Sequence, residues 1–155
     1  MRSRAAAERF VTADASPLIG LATANVFYAL APLYGTVTIT RAVKDEVMVN
    51  DALPGARELD AAMRSGWIRV APTPPDTWRF PELGTGEAST IALALEHKDS
   101  ALVLMDDALG VAQARALGLP VLGIADVLAA ARSERLIKDP ERIIGRLARR
   151  GFIVR

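Results

Sequence analysis

Two apolar runs in this chain stop at aspartates. Phe10-Val11-Thr12-Ala13 leads into Asp14, Ala15 and Ser16, and Ala101-Leu102-Val103-Leu104-Met105 leads into Asp106 and Asp107. Short uninterrupted apolar runs among helices read as buried parallel strands, and ligands collect outside the carboxyl ends of such strands. Aspartates brought together there repel one another, which destabilises the fold, and a divalent cation removes that cost. Oxygen-only ligands suit magnesium (Mg) or manganese (Mn) rather than zinc or copper. Such ions activate water and bind phosphate oxygens.

Two glutamates extend the pattern. Val43, Glu46, Val47 and Asn50 fall at i, i+3, i+4 and i+7, the inward face of a helix expected over residues 41–49. A carboxylate on that face needs a partner, unless it sits at the edge and reaches solvent. Nothing in the sequence separates the two readings. Glu87 lies in the first turn of a further helix, four residues before Ile91 and so on its apolar side. The helix dipole alone accounts for an acid there. Asp14 can bond the backbone of the Ser16-Pro17 turn, and Asp106 or Asp107 can cap the helix that follows. Each acid has an ordinary structural explanation by itself. Together they stand at element ends that a parallel fold brings to one edge.

The elements that must position them alternate. Strands are expected at 10–14, 36–39, 67–70, 101–105 and 121–123, with a further one at 151–154. Ser16-Pro17 starts a helix running to about Leu30, since serine caps and proline suits the first helical position. Thr40 caps the helix carrying Glu46, and a helix follows at 55–65. Pro72 to Gly84 holds four prolines and no periodicity, so it reads as a loop. Thr85 caps a helix from Gly86 to His97, and later helices are expected at 108–117, 125–132 and 139–149. This alternation argues one α/β domain with a mostly parallel sheet over residues 10–155, preceded by a loose arm at 1–9.

Composition narrows the function. The 155 residues are 51% hydrophobic, enough for one domain with a real core. There is no cysteine, which excludes thiolate zinc and disulfide scaffolds and fits a reducing, cytoplasmic setting. The single histidine, His97, excludes any site built from several imidazoles. Ala15 to Thr40 carries no charge but is broken by Pro17, Gly20, Asn25, Pro32 and Gly35, so no membrane span is expected. Its apolar residues Leu21, Val26, Phe27, Tyr28 and Leu30 spread over more than one face, which leads to the expectation of a homodimer. No phosphate-cradling glycine loop is present, because Gly84-Thr85-Gly86 lacks a preceding strand and a third glycine. Net charge is +1, yet from Arg132 to Arg155 basic residues outnumber Glu134, Asp139 and Glu141. That tail is either a phosphate-binding surface or a solvated helix face.

Six segments taken together are more specific than any one of them. They are Asp14-Ala15-Ser16-Pro17-Leu18-Ile19, Val43 to Val47 around Glu46, Gly86-Glu87-Ala88, Leu104-Met105-Asp106-Asp107, Gly118-Leu119-Pro120-Val121 and Gly151-Phe152. Their order and spacing resemble PIN-domain proteins, in the group similar to the toxin nucleases of toxin–antitoxin pairs, over roughly residues 10 to 154. The resemblance implies a three-layer α/β/α sandwich and a metal-dependent endoribonuclease. Its acidic quartet maps to Asp14, Glu46, Glu87 and Asp106, holding magnesium or manganese, with Asp107 as a neighbour or substitute. Ser16 matches the small polar residue beside the first acid and is expected to position substrate. RNA and a protein antitoxin are the partners implied. Two departures are visible: Ala108-Leu109-Gly110 replaces the basic residues that often follow the paired aspartates, and Ser89 replaces a second acid. They favour the alternative of a non-catalytic PIN-like domain that binds RNA or protein. An aspartate-based phosphotransferase ranks last, because position 16 is serine rather than a second aspartate.

Overall fold

The computed structural model describes residues 8–154, so most of the arm expected at 1–9 lies outside the described residues. Five strands form one sheet: β1 (Phe10–Ala13), β2 (Val37–Thr40), β3 (Ile68–Ala71), β4 (Ala101–Leu104) and β5 (Val121–Leu122). Their order is β3-β2-β1-β4-β5, and every pairing is parallel. The helices between and after them are α1 (Ala15–Thr23), α2 (Leu30–Tyr34), α3 (Arg41–Met48), α4 (Ala56–Ser65), α5 (Thr85–Leu95), α6 (Ala108–Ala116), α7 (Ile124–Ser133) and α8 (Pro140–Arg149).

The period-two alternation of the strands divides the core in two. Leu102 and Leu104 of β4 face one way, with Val11, Ala13, Val37 and Ile39, into a cluster closed by α1, α3, α4, α7 and α8. Ala101 and Val103 face the other way, with Met105 just beyond the strand, against Ala88, Ile91 and Ala92 of α5 and Ala114 of α6. Helices cover both faces, so the molecule has the expected three α/β/α layers. The chain lays β1, β2 and β3 outward in one direction, then crosses back to place β4 on the other side of β1. The crevice outside the carboxyl ends of β1 and β4 is therefore the topological switch point, where open parallel sheets bind their ligands.

Two elements differ from expectation. The single helix expected from Ser16 to Leu30 is broken: α1 ends at Thr23, Asn25 takes a left-handed φ of 60°, and a 3₁₀ turn at Phe27–Ala29 leads into α2. Asparagine is among the few residues that enter that region readily. Residues 152–154 form no strand. Instead Phe152 turns back over α1, where an added Cβ at Gly20 would lie 2.6 Å from Ile124 Cδ1 and 3.3 Å from the Phe152 ring. Glycine is required there because α1, α7 and the end of the chain meet at that point.

Breaking the helix also disposes of its apolar excess. Leu21, Val26, Phe27 and Leu30 are buried inside the molecule, leaving Tyr28 exposed with its hydroxyl donating to the Leu136 carbonyl. The apolar surface from which self-association was expected is thus mostly interior. Among the described residues no single helix is long and apolar enough to cross a membrane.

Candidate functional site

Asp14 follows β1 directly and occupies the N-cap position of α1. Its backbone N–H donates to the Leu104 carbonyl at 3.0 Å, which extends the β1–β4 pairing by one residue and fixes it at the switch point. The residue is only 3% exposed. Burial pushes its carboxyl up from 3.8 to about 7; the Ala15 amide opposes this, and the charges of Glu87, Glu46 and Asp107 add to it.

Glu46 reaches the same place from α3. The Thr40 hydroxyl accepts the Val43 N–H at 3.1 Å and caps that helix, while Val43 and Val47 anchor it in the core. Glu46 itself is exposed, but its carboxylate lies over Gly86. A Cβ added to Gly86 would stand 2.8 Å from Glu46 Oε1 and 3.3 Å from Asp14 Oδ1. The absent side chain at position 86 leaves room for two carboxylates from different elements to approach one point.

Glu87 sits in the first turn of α5, half-buried. Its carboxyl is raised by burial first and by Asp107 second; the Gly84 amide lowers it, and Glu46 raises it further. Asp107 caps α6, where its Oδ2 accepts the Gly110 N–H at 2.9 Å. The two ion pairs among the described residues, Arg64–Asp60 and Arg79–Asp76, lie elsewhere. Four carboxylates thus act on one another at the carboxyl edge of the sheet, and among the described residues no ion pair neutralises them.

Asp106 is placed differently. It is buried, and both of its carboxylate oxygens accept the Ile124 N–H, at 3.1 and 3.0 Å. That is the first residue of α7, so Asp106 ties the end of β4 to the start of that helix. Asp107, offered by the sequence as a neighbour or substitute, has a charge that acts on Asp14 and Glu87. Ser16 is exposed in the first turn of α1, beside Asp14.

A hydroxyl network beneath the acids is not evident from the sequence. Thr40 Oγ1 and Ser89 Oγ are 2.7 Å apart, and the hydroxyls of Ser89 and Thr90 donate to the Gly86 carbonyl at 2.9 and 2.8 Å. The cap of the helix carrying Glu46 is therefore bonded to the helix carrying Glu87. Thr40 is recognisable as a cap and Ser89 as a departure from the family pattern, but nothing in the sequence links them.

As they stand, no three acidic or imidazole side chains among the described residues are close enough together to hold a metal ion. The carboxylates meet in pairs instead: those of Glu46 and Asp14 approach one point over Gly86, and that of Glu87 bonds the Asp107 side chain.

A family model for the PIN domain matches residues 10–155. This chain belongs to the PIN-domain family. No curated protein matches it. PIN domains are generally nucleases, typically bind nucleic acids and generally use magnesium or manganese. The donor set of this PIN domain suits those ions: it is all oxygen, and it includes a buried carboxylate, Asp14, raised to about 7 by burial first and by three neighbouring acids after it.

Proposed function

We propose that this PIN domain is a metal-dependent endoribonuclease, with Asp14, Glu46, Glu87 and Asp107 holding magnesium or manganese. The observation that carries the reading is the Asp14 carboxyl, buried at the switch point and raised to about 7 among three further acids. When bound, the ion supplies charge stabilisation at the phosphate and a water of lowered pKa. The chain's own residues do the rest. Asp14 is a rigid anchor, because its main chain continues the sheet. The Gly84 amide holds Glu87, and the Gly110 amide holds Asp107. The Ser16 hydroxyl, exposed beside Asp14, is placed to donate to a phosphate oxygen. Asp106 acts through position, fixing the start of α7 beside the site.

The alternative is a non-catalytic domain that binds RNA or protein. The absence, among the described residues, of three acids grouped closely enough to hold an ion and the apolar Ala108-Leu109-Gly110 favour it. Incubating the purified protein with a fluorescence-quenched single-stranded RNA separates the two. The nuclease reading expects cleavage with manganese and none with EDTA. Asp14→Asn and Asp107→Asn should lose it, while Asp99→Asn, outside the cluster, should keep it and so exclude a contaminating nuclease. Binding without cleavage by wild-type protein would establish the non-catalytic reading. The toxin setting rests on the resemblance alone. It requires a small neighbouring reading frame whose product binds this chain and blocks cleavage.

A further inference from the structure

The acid edge repels the very polymer it is proposed to cut. Net charge is only +1, so attraction for a polyanion has to come from charge concentrated somewhere on the surface. Helix α8 provides it. Arg142, Arg146 and Arg149 recur at i, i+4 and i+7, and Arg150 follows at the helix end. At about 100° per residue the four span an arc about 100° wide, beside the face that buries Ile143 and Leu147. All four arginines are exposed. Among the described residues no ion pair engages them: Glu141 projects from another side of the helix, and Asp139 caps the Arg142 backbone N–H.

The stripe also leads to the right place. α8 packs against α7, and Phe152, just past its end, comes against Ile124 at the start of α7. The Ile124 N–H is bonded to Asp106 at the acid edge. Gly20, which Phe152 also meets, is six residues beyond Asp14, or about 9 Å along the α1 axis. The chain just past the arginine-bearing helix thus packs on α1 about two helical turns from Asp14.

We propose that the arginine face of α8 is a track for the phosphate backbone of single-stranded RNA, delivering the strand to the acid edge. Along the axis Arg142 and Arg146 stand about 6 Å apart and Arg146 and Arg149 about 4.5 Å, spacings that long side chains can bring to consecutive phosphates. An acidic protein fits less well. Protein interfaces depend on buried aromatic or aliphatic anchors, and none of the exposed large hydrophobic residues lies on α8. The inference rests on the nuclease reading only for the identity of the polymer.

The test is binding without turnover. Anisotropy of a fluorescein-labelled single-stranded RNA is followed in EDTA for wild type and R142Q/R146Q/R149Q, with R57Q/R64Q/R69Q as a charge-matched control. The α8 variant should bind at least about tenfold more weakly at 0.1 M salt, and its slope of log K against log salt should be shallower by about 2. The control should change far less, and R142K/R146K/R149K should bind nearly as wild type does. Circular dichroism should show the variants equally folded, because the substituted side chains are exposed. Equal affinities and slopes in the two glutamine variants, no RNA binding by wild type, or tighter binding of polyglutamate than of RNA would each overturn the track. Failure of the nuclease reading looks different: wild type binds RNA through α8 yet never cleaves it.

Discussion

Asp14, Glu46, Glu87 and Asp107 at the acid edge and the arginines of α8 both crowd like charges with no ion pair among the described residues, but they bear the crowding in opposite ways. On α8 the arginines are solvated, so their repulsion is weak and the helix is held by Ile143 and Leu147 beneath them. At the sheet edge Asp14 is buried and its main chain is part of the β1–β4 pairing, so it cannot retreat. It responds by holding its proton up to about pH 7. Burial makes charge crowding a short-range site for a small hard cation. Exposure makes it a long-range, salt-sensitive attraction for a polymer.

The comparison breaks most visibly at Asp14. Asp14→Asn should lower manganese-dependent RNA cleavage by more than about a hundredfold, the scale on which single preorganised electrostatic groups count. It should leave RNA binding in EDTA unchanged or slightly stronger. Loss of binding in that variant would show that the two regions are not separable.

The next largest effect is on stability against pH. Asp14 takes up its proton near pH 7 when folded but only near 3.8 when unfolded. In metal-free protein its contribution is therefore greatest at acid pH and is lost as pH rises through that window. Melting temperature should fall between about pH 4 and pH 7 by an amount that Asp14→Asn removes and Arg146→Gln does not. Added manganese should raise it most at the alkaline end, where the carboxylate is free to bind. Identical profiles for wild type and Asp14→Asn would count against the buried charge.

A smaller effect should separate the paired aspartates. Asp107→Asn should reduce the thermal shift produced by manganese more than Asp106→Asn does. Asp106→Ala should instead cost about 1–3 kcal/mol of folding stability in urea titration, because the buried Ile124 amide loses its acceptor. The reverse ranking would restore Asp106 to the metal set.

Gly86→Ala should change stability by less than about 1 kcal/mol, since the clash is with the movable end of Glu46. It should nevertheless weaken the manganese shift, because the new methyl occupies the space between two carboxylates. Ser89→Ala should act on stability alone, costing about 1 kcal/mol in urea titration by loss of the bond to Thr40.

The acids and strands were legible because each leaves a local mark. An apolar run ending in aspartate specifies both a buried strand and the side chain at its end. The Val43–Val47 spacing gave the two buried positions of α3, but Glu46 and Asn50, expected on the same inward face, are exposed, and Glu46 approaches Gly86 only with its carboxylate. That Asp106 rather than Asp107 bonds the α7 backbone was not legible. It depends on which residue meets α7, eighteen positions further on, and no local pattern encodes that distance. The Thr40–Ser89 bond spans 49 positions and was invisible for the same reason. Residues 151–154 read as a strand by composition, but β5 is two residues long and the chain's end packs on α1 instead.

The strand order carries one more consequence, for the chain as it is made. β1 pairs with β4, Phe10 opposite Ala101, which closes a loop of about 90 residues. Until that pairing forms, Asp14 and Asp107 are on unconnected parts of a growing polymer. A ribosome must release well over a hundred residues before the acid edge can exist, and non-local parallel pairing is intrinsically slow. The acid cluster is therefore a late product of synthesis, assembled by topology only once β4 has paired with β1.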